Sequence, residues 1–319
     1  MSEKKYKYIF GPVPSRRLGL SLGVDLVLFK TCCFDCVYCQ LGRTTDKTIE
    51  RKEYVPVDEV IAEIKQRCDE GLKADYITMS GSGEPTLNSG IGRVIAAVKK
   101  ITDIPVAVIT NGGLLSDPQV RKDLLLADLV VPSLDGGNGG AVERVDRPDP
   151  SINFDKLVEG LVKFREEFNG QMWLEVFIVA GLNDDDDDVE MLAEQVELIK
   201  PDRIQINTVI RPPAESYAQR VGDERMREIA AKFGEKAEII APFERESQPS
   251  EIQSGAADVE EMIARRPCSL RDIASGLGMH ENETVKYISS LTAAGTIVER
   301  RQGDTVYYTL ANQINDTEK

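Results

Sequence analysis

Thr31-Cys32-Cys33-Phe34-Asp35-Cys36-Val37-Tyr38-Cys39 gathers four of the chain's six cysteines into eight residues. Cys32, Cys36 and Cys39 have the spacing C-x-x-x-C-x-x-C. Three thiolates on one tight loop can hold three irons of a cubane iron–sulfur cluster and leave the fourth iron open to an outside chelator. A structural zinc site needs a fourth protein ligand, and the single histidine, His280, lies far along the chain. A ferredoxin-type electron carrier lacks its fourth cysteine here. Cys33, adjacent to Cys32, is expected to point away from the shared site. Cys68 and Cys268 read as small buried apolar side chains. The start, Met1-Ser-Glu-Lys-Lys-Tyr, has no apolar signal core, and no run of about 18 apolar residues is present. A cytoplasmic protein with no membrane association is expected, in a compartment where clustered cysteines bind metal rather than pair as disulfides.

On either side of this loop, short β-like runs alternate with amphipathic stretches. Strands are predicted at 21–28, 76–80, 106–110, 129–134, 173–179 and 203–210. Helices are predicted near 57–70, 91–101, 117–126, 154–168, 189–199 and 223–233. Alternation of this kind implies a parallel sheet with helical crossovers. Six βα units suit an open doubly wound sheet or an incomplete barrel, and periodicity does not choose between them. The run Asn183-Asp-Asp-Asp-Asp-Asp188 lacks the glycine and bidentate glutamate of a calcium loop; it reads as a solvated helix start facing the positive end of the dipole.

Three further stretches stand at predicted strand ends: Thr78-Met-Ser-Gly-Ser-Gly-Glu-Pro85, Val108-Ile-Thr-Asn-Gly112 and Pro132-Ser-Leu-Asp135. Together with Cys32-x3-Cys36-x-Tyr38-Cys39 they resemble, in order, the motifs of the radical S-adenosylmethionine (radical SAM) superfamily, over residues 10 to 245. Ser82 stands where the family usually has glycine. The resemblance implies a partial (β/α)6 TIM-like barrel whose site lies at the strands' C-terminal ends. It implies one [4Fe–4S] cluster on Cys32, Cys36 and Cys39, with S-adenosylmethionine chelating the open iron. Reductive cleavage of that ligand would give a radical that takes a hydrogen atom from a substrate. Tyr38, Ser82, Gly83, Glu84, Asn111, Ser133 and Asp135 are the implied S-adenosylmethionine contacts, Glu84 accepting from the α-ammonium. Arg16, Arg17, Arg147 and Arg211 are candidates for an anionic group on the substrate, while Glu175 and Asn207 could face the interior. The implied partners are an unidentified substrate (small molecule, peptide or protein) and an electron donor such as flavodoxin or ferredoxin. The block Phe10-Gly-Pro-Val-Pro-Ser-Arg-Arg-Leu-Gly19 resembles the opening of an uncharacterised prokaryotic subgroup.

The expected radical SAM core spans 1–245, followed by a polar linker at 246–255. Short helices at 259–264, 269–277 and 283–294 and a hairpin at 296–310 then describe a winged helix-turn-helix over 256–312, with a disordered tail at 313–319. Ser269-Leu-Arg-Asp272 opens its helix as a capping-box variant. Winged helices often read DNA. The third helix here offers Glu281 and Glu283 against Lys286, and the whole chain carries 54 acidic against 39 basic residues, net −15. Phosphate backbones are repelled by such a field, so protein docking is the expected role and nucleic acid the less favoured partner. An iron–sulfur transcriptional regulator would account for the winged helix but not for the motifs around Glu84 and Asn111.

Overall fold

The structure, a computed structural model, describes residues 6–240 and 255–313. Most of the proposed linker and nearly all of the proposed tail lie outside the described residues. Along the first part run β1 (Ile9–Ser15), β2 (Gly19–Val24), β3 (Thr31–Cys32), β4 (Asp46–Lys47), α1 (Val57–Asp69), β5 (Tyr76–Met79), α2 (Ile91–Ile101) and β6 (Val106–Thr110). They are followed by α3 (Pro118–Leu124), β7 (Leu129–Pro132), α4 (Gly139–Val145), α5 (Phe154–Glu167), β8 (Gln171–Ile178), α6 (Asp186–Ile199), β9 (Arg203–Thr208), α7 (Asp223–Lys232) and β10 (Ala237–Ile239).

Eight strands form one sheet in the order β1-β2-β5-β6-β7-β8-β9-β10, with every neighbouring pair parallel except β1 and β2. The central strands are near-continuous apolar runs, such as Val106-Ala-Val-Ile-Thr110, because a parallel sheet is covered on both faces. Helices cover one face, where Ile91, Val94, Ile95 and Val98 of α2 are wholly buried, and on the other Ala107, Leu129, Val131 and Trp173 pack with Leu18. The sheet ends at β1 and β10, which do not pair with each other.

The differences from expectation have local causes. The sequence of β1, Ile9-Phe-Gly-Pro-Val-Pro-Ser15, carries two prolines and hides its strand character; as an edge strand it tolerates them. β2 ends at Val24, four residues early, and Leu28 and Phe29 are exposed in the turn that follows. α4 begins with two glycines, poor helix formers, and is held by Asn138 Oδ1 accepting from Ala141 N at 3.0 Å. α6 starts within the aspartate run, where Asp185 caps Asp188 N at 2.8 Å. That run is not wholly solvated: Asp188 is buried against Arg144, and Asn183 is buried, its Nδ2 donating to the Asp135 and Phe177 carbonyls at 2.7 and 2.8 Å.

The C-terminal residues form α8 (Ala256–Arg265), β11 (Cys268–Ser269), α9 (Leu270–Leu277), α10 (Glu281–Ala293), β12 (Ile297–Gln302) and β13 (Thr305–Leu310), with an antiparallel sheet in the order β11-β13-β12. The capping box is present: Asp272 N donates to Ser269 Oγ at 3.1 Å and Ser269 N to Asp272 Oδ2 at 3.0 Å. Cys268 is buried as expected, in a small core with Val259, Ile263, Ile273 and Ile297, whereas Cys68 on α1 is only half-buried. Val13 of β1 packs against this second core, and Arg266 Nη2 donates to the Pro14 carbonyl at 2.9 Å.

Candidate active site

The cysteine loop and the glycine-rich loop after β5 are tied together through backbone. Lys30 N donates to the Ser82 carbonyl at 2.6 Å and Glu84 N to the Thr31 carbonyl at 3.1 Å. Gly83 lies so close to this segment that a Cβ there would land on the Thr31 carbonyl oxygen. Gly81 adopts φ +130°, a region closed to most side chains. Ser82 N donates to Asp25 Oδ1 at 2.7 Å, which anchors the loop to the end of β2.

Glu84 is 2% exposed. Its Oε1 accepts from Thr86 N (3.0 Å), Thr86 Oγ1 (2.6 Å) and Thr110 Oγ1 (2.7 Å), and its Oε2 from Asn111 N (2.8 Å). This carboxylate therefore joins the ends of β5 and β6. Oε2, with one donor, retains a lone pair for another. Burial pushes the carboxyl above its usual range, partly offset by the hydrogen bonds from Thr86, Asn111 and Thr110.

One cavity of about 310 Å³ opens beside these loops, and Cys32, Cys36, Gly83, Glu84, Asn111 and Ser133 are among its lining residues. Cys39 is not among the lining residues; Lys30 Nζ lies 3.2 Å from its sulfur. Cys33 does not turn away as its adjacency to Cys32 suggested. It lies beyond the end of β3, where the alternation of side chains stops, and Asn111 Nδ2 reaches both Cys32 Sγ (3.5 Å) and Cys33 Sγ (3.2 Å). Burial pushes the Cys36 thiol far up, and the charges of Asp146, Cys32 and Cys39 add to this. A bound cation reverses that balance. Among the described residues no three Cys, His, Asp or Glu side chains converge as a single ion would require. A cubane spreads its three thiolates over three irons, and three soft donors on one loop fit it.

Tyr38, Ser82 and Asp135 lie behind the cavity wall. The Tyr38 ring stacks on Phe177 with centroids 3.7 Å apart, and its hydroxyl donates to Asp135 at 2.5 Å. Asp135 Oδ1 also accepts from Phe177 N at 2.8 Å. This pair braces the cysteine loop against β8. Arg147, one of the candidates for an anionic group, is instead a paired arginine: its guanidinium meets Asp35 (3.2 Å) and Glu215 (2.8 Å).

Glu175 and Asn207 are buried beside each other. Asn207 Nδ2 donates to Glu175 Oε1 at 3.0 Å, Arg17 lies 2.7 Å from Glu175 Oε2, and Arg16 Nη1 donates to Asn207 Oδ1 at 3.1 Å. Burial pushes Glu175 up, but Arg17, Asn207 and Arg16 together hold its carboxyl below the usual range. A depressed carboxylate stabilises the fold above its unfolded value of about 4.3 and loses that contribution as pH falls through the folded value. The melting temperature of the wild type is therefore expected to exceed that of Glu175→Gln at neutral pH, with the gap closing below about pH 4. Parallel melting curves from pH 7 to 3 would remove the ion pair from the account.

Sequence reasoning missed Asp25, Arg265 and Arg266. Arg265 ion-pairs with Asp25, and its guanidinium lies 4.6 Å from the centre of the Phe10 ring. With Met262 of α8, both arginines line the cavity. The Arg265-Arg266 doublet was visible in the sequence, but nothing local connects it to a loop 240 residues away.

The family model of the radical SAM superfamily matches residues 26–196 of the chain. A UPF0026 protein of Methanocaldococcus jannaschii is 36% identical over 242 residues, covering 74% of this chain and 75% of that protein. A protein of Brachyspira hyodysenteriae named GTPase Obg is 39% identical over 302 residues, and this chain spans 44% of its length. Among solved structures, a radical SAM methyltransferase from Sphaerobacter thermophilus shares the fold with a TM-score of 0.53 at 18% identity, over 69% of this chain and 65% of that one. Read with the cysteine spacing and the cavity at the strand ends, these matches make the chain an enzyme of the radical SAM superfamily, with a [4Fe–4S] cluster and S-adenosylmethionine as its cofactors, and a relative of the UPF0026 proteins.

Proposed function

We propose that this protein cleaves S-adenosylmethionine reductively at a cluster held by Cys32, Cys36 and Cys39 and abstracts a hydrogen atom from a small-molecule substrate. The observation that carries this reading is the single cavity in which Cys32 and Cys36 meet Glu84, Asn111 and Ser133. Parallel αβ folds build their sites at such strand ends. The bound cofactors supply the electron transfer and radical chemistry; the chain supplies orientation and exclusion of water. Glu84 Oε2 and Asn111 would bind the amino-acid part of S-adenosylmethionine. Gly83 and Ser82 shape the loop beneath it, Ser133 contributes a hydroxyl from the end of β7, and Tyr38 and Asp135 hold the cysteine loop in place. A one-electron donor of the flavodoxin or ferredoxin class and a reducing, cytoplasmic location complete the reading.

The core is assigned to 1–245 and the C-terminal unit, a winged helix-turn-helix, to 256–312. Its arrangement supports docking rather than DNA reading. Glu281 and Glu283 stand exposed at the start of α10, where phosphates would be repelled, and α8 turns Arg265 and Arg266 into the cavity. A regulator would need the opposite arrangement. Nucleotide hydrolysis is not carried over from the Brachyspira protein, since this sequence holds no G-x-x-x-x-G-K-[ST] string.

The test is anaerobic reconstitution with iron and sulfide, reduction, and addition of S-adenosylmethionine. A changed cluster EPR spectrum together with accumulating 5′-deoxyadenosine is expected. A normal reduced cluster with neither response would overturn the proposal.

A further inference from the structure

The cavity's lining combines Cys32, Cys36, Glu84 and Asn111 with Arg17, Arg265 and Arg266, contributed by the turn after β1 and by the end of α8. Arg16 and Arg211 stand behind them. Three carboxylates pair with these five guanidinium groups: Glu175 with Arg17 (2.7 Å), Asp272 with Arg211 (3.5 Å) and Asp25 with Arg265. Among the described residues, Arg16 and Arg266 have neutral oxygens as partners, Asn207 Oδ1 at 3.1 Å and the Pro14 carbonyl at 2.9 Å. Two positive charges are thus in excess in a part-buried place, within a chain whose net charge is −15.

Two polar atoms there also lack hydrogen-bond partners among the described residues: Arg211 Nε and Arg265 Nε are both buried without one. Buried donors left unmade are costly, so they mark a place shaped for an acceptor. Burial, followed by repulsion from Arg211 and Arg17, pulls Arg16 down to about 10, which still leaves it a cation at neutral pH.

We propose that these arginines, with Arg17 and Arg266 on the cavity wall and Arg16 and Arg211 behind them, seat the phosphate group of a small-molecule substrate, a claim that rests on the cavity being the substrate chamber of the enzyme proposed above. A phosphate dianion matches the excess of two charges, and its oxygens suit the guanidinium fork in paired hydrogen bonds. A monocarboxylate would leave one cation uncompensated. A cavity of about 310 Å³ is of a size to admit a small molecule. The substrate's anion would then lie at the arginines and its reacting carbon toward the cysteines. The C-terminal unit becomes part of the active site, because Arg266 comes from it.

The test is calorimetric titration of the reconstituted full chain with inorganic phosphate and, at equal ionic strength, with succinate. Saturable phosphate binding tighter than succinate binding is expected, weakened about tenfold or more in Arg266→Gln and in Arg17→Gln, in keeping with charge-assisted bidentate contacts. Lys100→Ala, exposed on α2, should bind as the wild type does. Arg266→Lys keeps the charge without the fork and should fall in between, which separates loss of the contact from misfolding of the C-terminal unit. No saturable phosphate binding, tighter succinate binding, or wild-type affinity in Arg266→Gln would each overturn the phosphate assignment. The cleavage assay on the same wild-type preparation keeps the two readings apart. Phosphate binding without 5′-deoxyadenosine sinks the enzyme proposal and leaves the anion site; cleavage without phosphate binding sinks the anion site alone.

Discussion

Cys36→Ala is expected to abolish the cluster's catalytic function: after anaerobic reconstitution, 5′-deoxyadenosine should stay at background and the reduced cluster's EPR signal should be lost or converted to that of a smaller cluster. The argument is one of ligand count. A site with three thiolates has no spare protein ligand. His280, the single histidine, is in the C-terminal unit and exposed at the start of α10. Cys33 is the obvious substitute, but its thiol is pushed far up, by burial first and then by the neighbouring Cys32, and it faces Asn111. Cys68→Ala, on α1, is the matched control and should keep both signals. An unchanged cluster and undiminished cleavage in Cys36→Ala would mean that the cysteine spacing has been misread.

The second large effect is on stability. Glu84→Ala is expected to destabilise the cluster-free protein by about 3 kcal/mol or more, since buried donors left without an acceptor each cost about 1–3 kcal/mol. Thr86 N, Thr86 Oγ1, Thr110 Oγ1 and Asn111 N all lose their partner at once. For a chain of this size, a loss of that magnitude lowers the melting temperature by roughly 5–10 °C. Calorimetry before cluster loading isolates this contribution from any ligand. A shift within a degree of the wild type would show that water replaces the carboxylate, and would leave Glu84 as a ligand-binding group alone. Oε1 is fully used by the scaffold while Oε2 is not, which leaves Oε2 for the proposed ligand contact.

How much of this could be read from the sequence varies with the kind of interaction. The βα alternation was legible because each central strand is an apolar run and each crossover helix has a buried stripe. β6 and α2 agree with expectation to the residue. β1 was not legible, since its prolines and glycine are tolerated only because it lies at the sheet edge. α4 was hidden by its leading glycines, and is stabilised by a cap from Asn138 that propensity does not weigh heavily.

The site divides in the same way. The cysteine spacing, the glycines and Glu84 are local patterns, and spacing along the chain determines which groups can share one loop. The sequence by itself thus determined the chemistry of the cysteine loop and the family to which the chain belongs. The tertiary structure alone decided that Cys33 stays beside Asn111, that Arg147 is a paired arginine, and that Arg266 faces a cavity some 250 residues from Arg17 in sequence. The last of these depends on where β1 and α8 meet. Such docking is settled by summed burial and charge pairing between distant segments, and no periodicity in either segment records it.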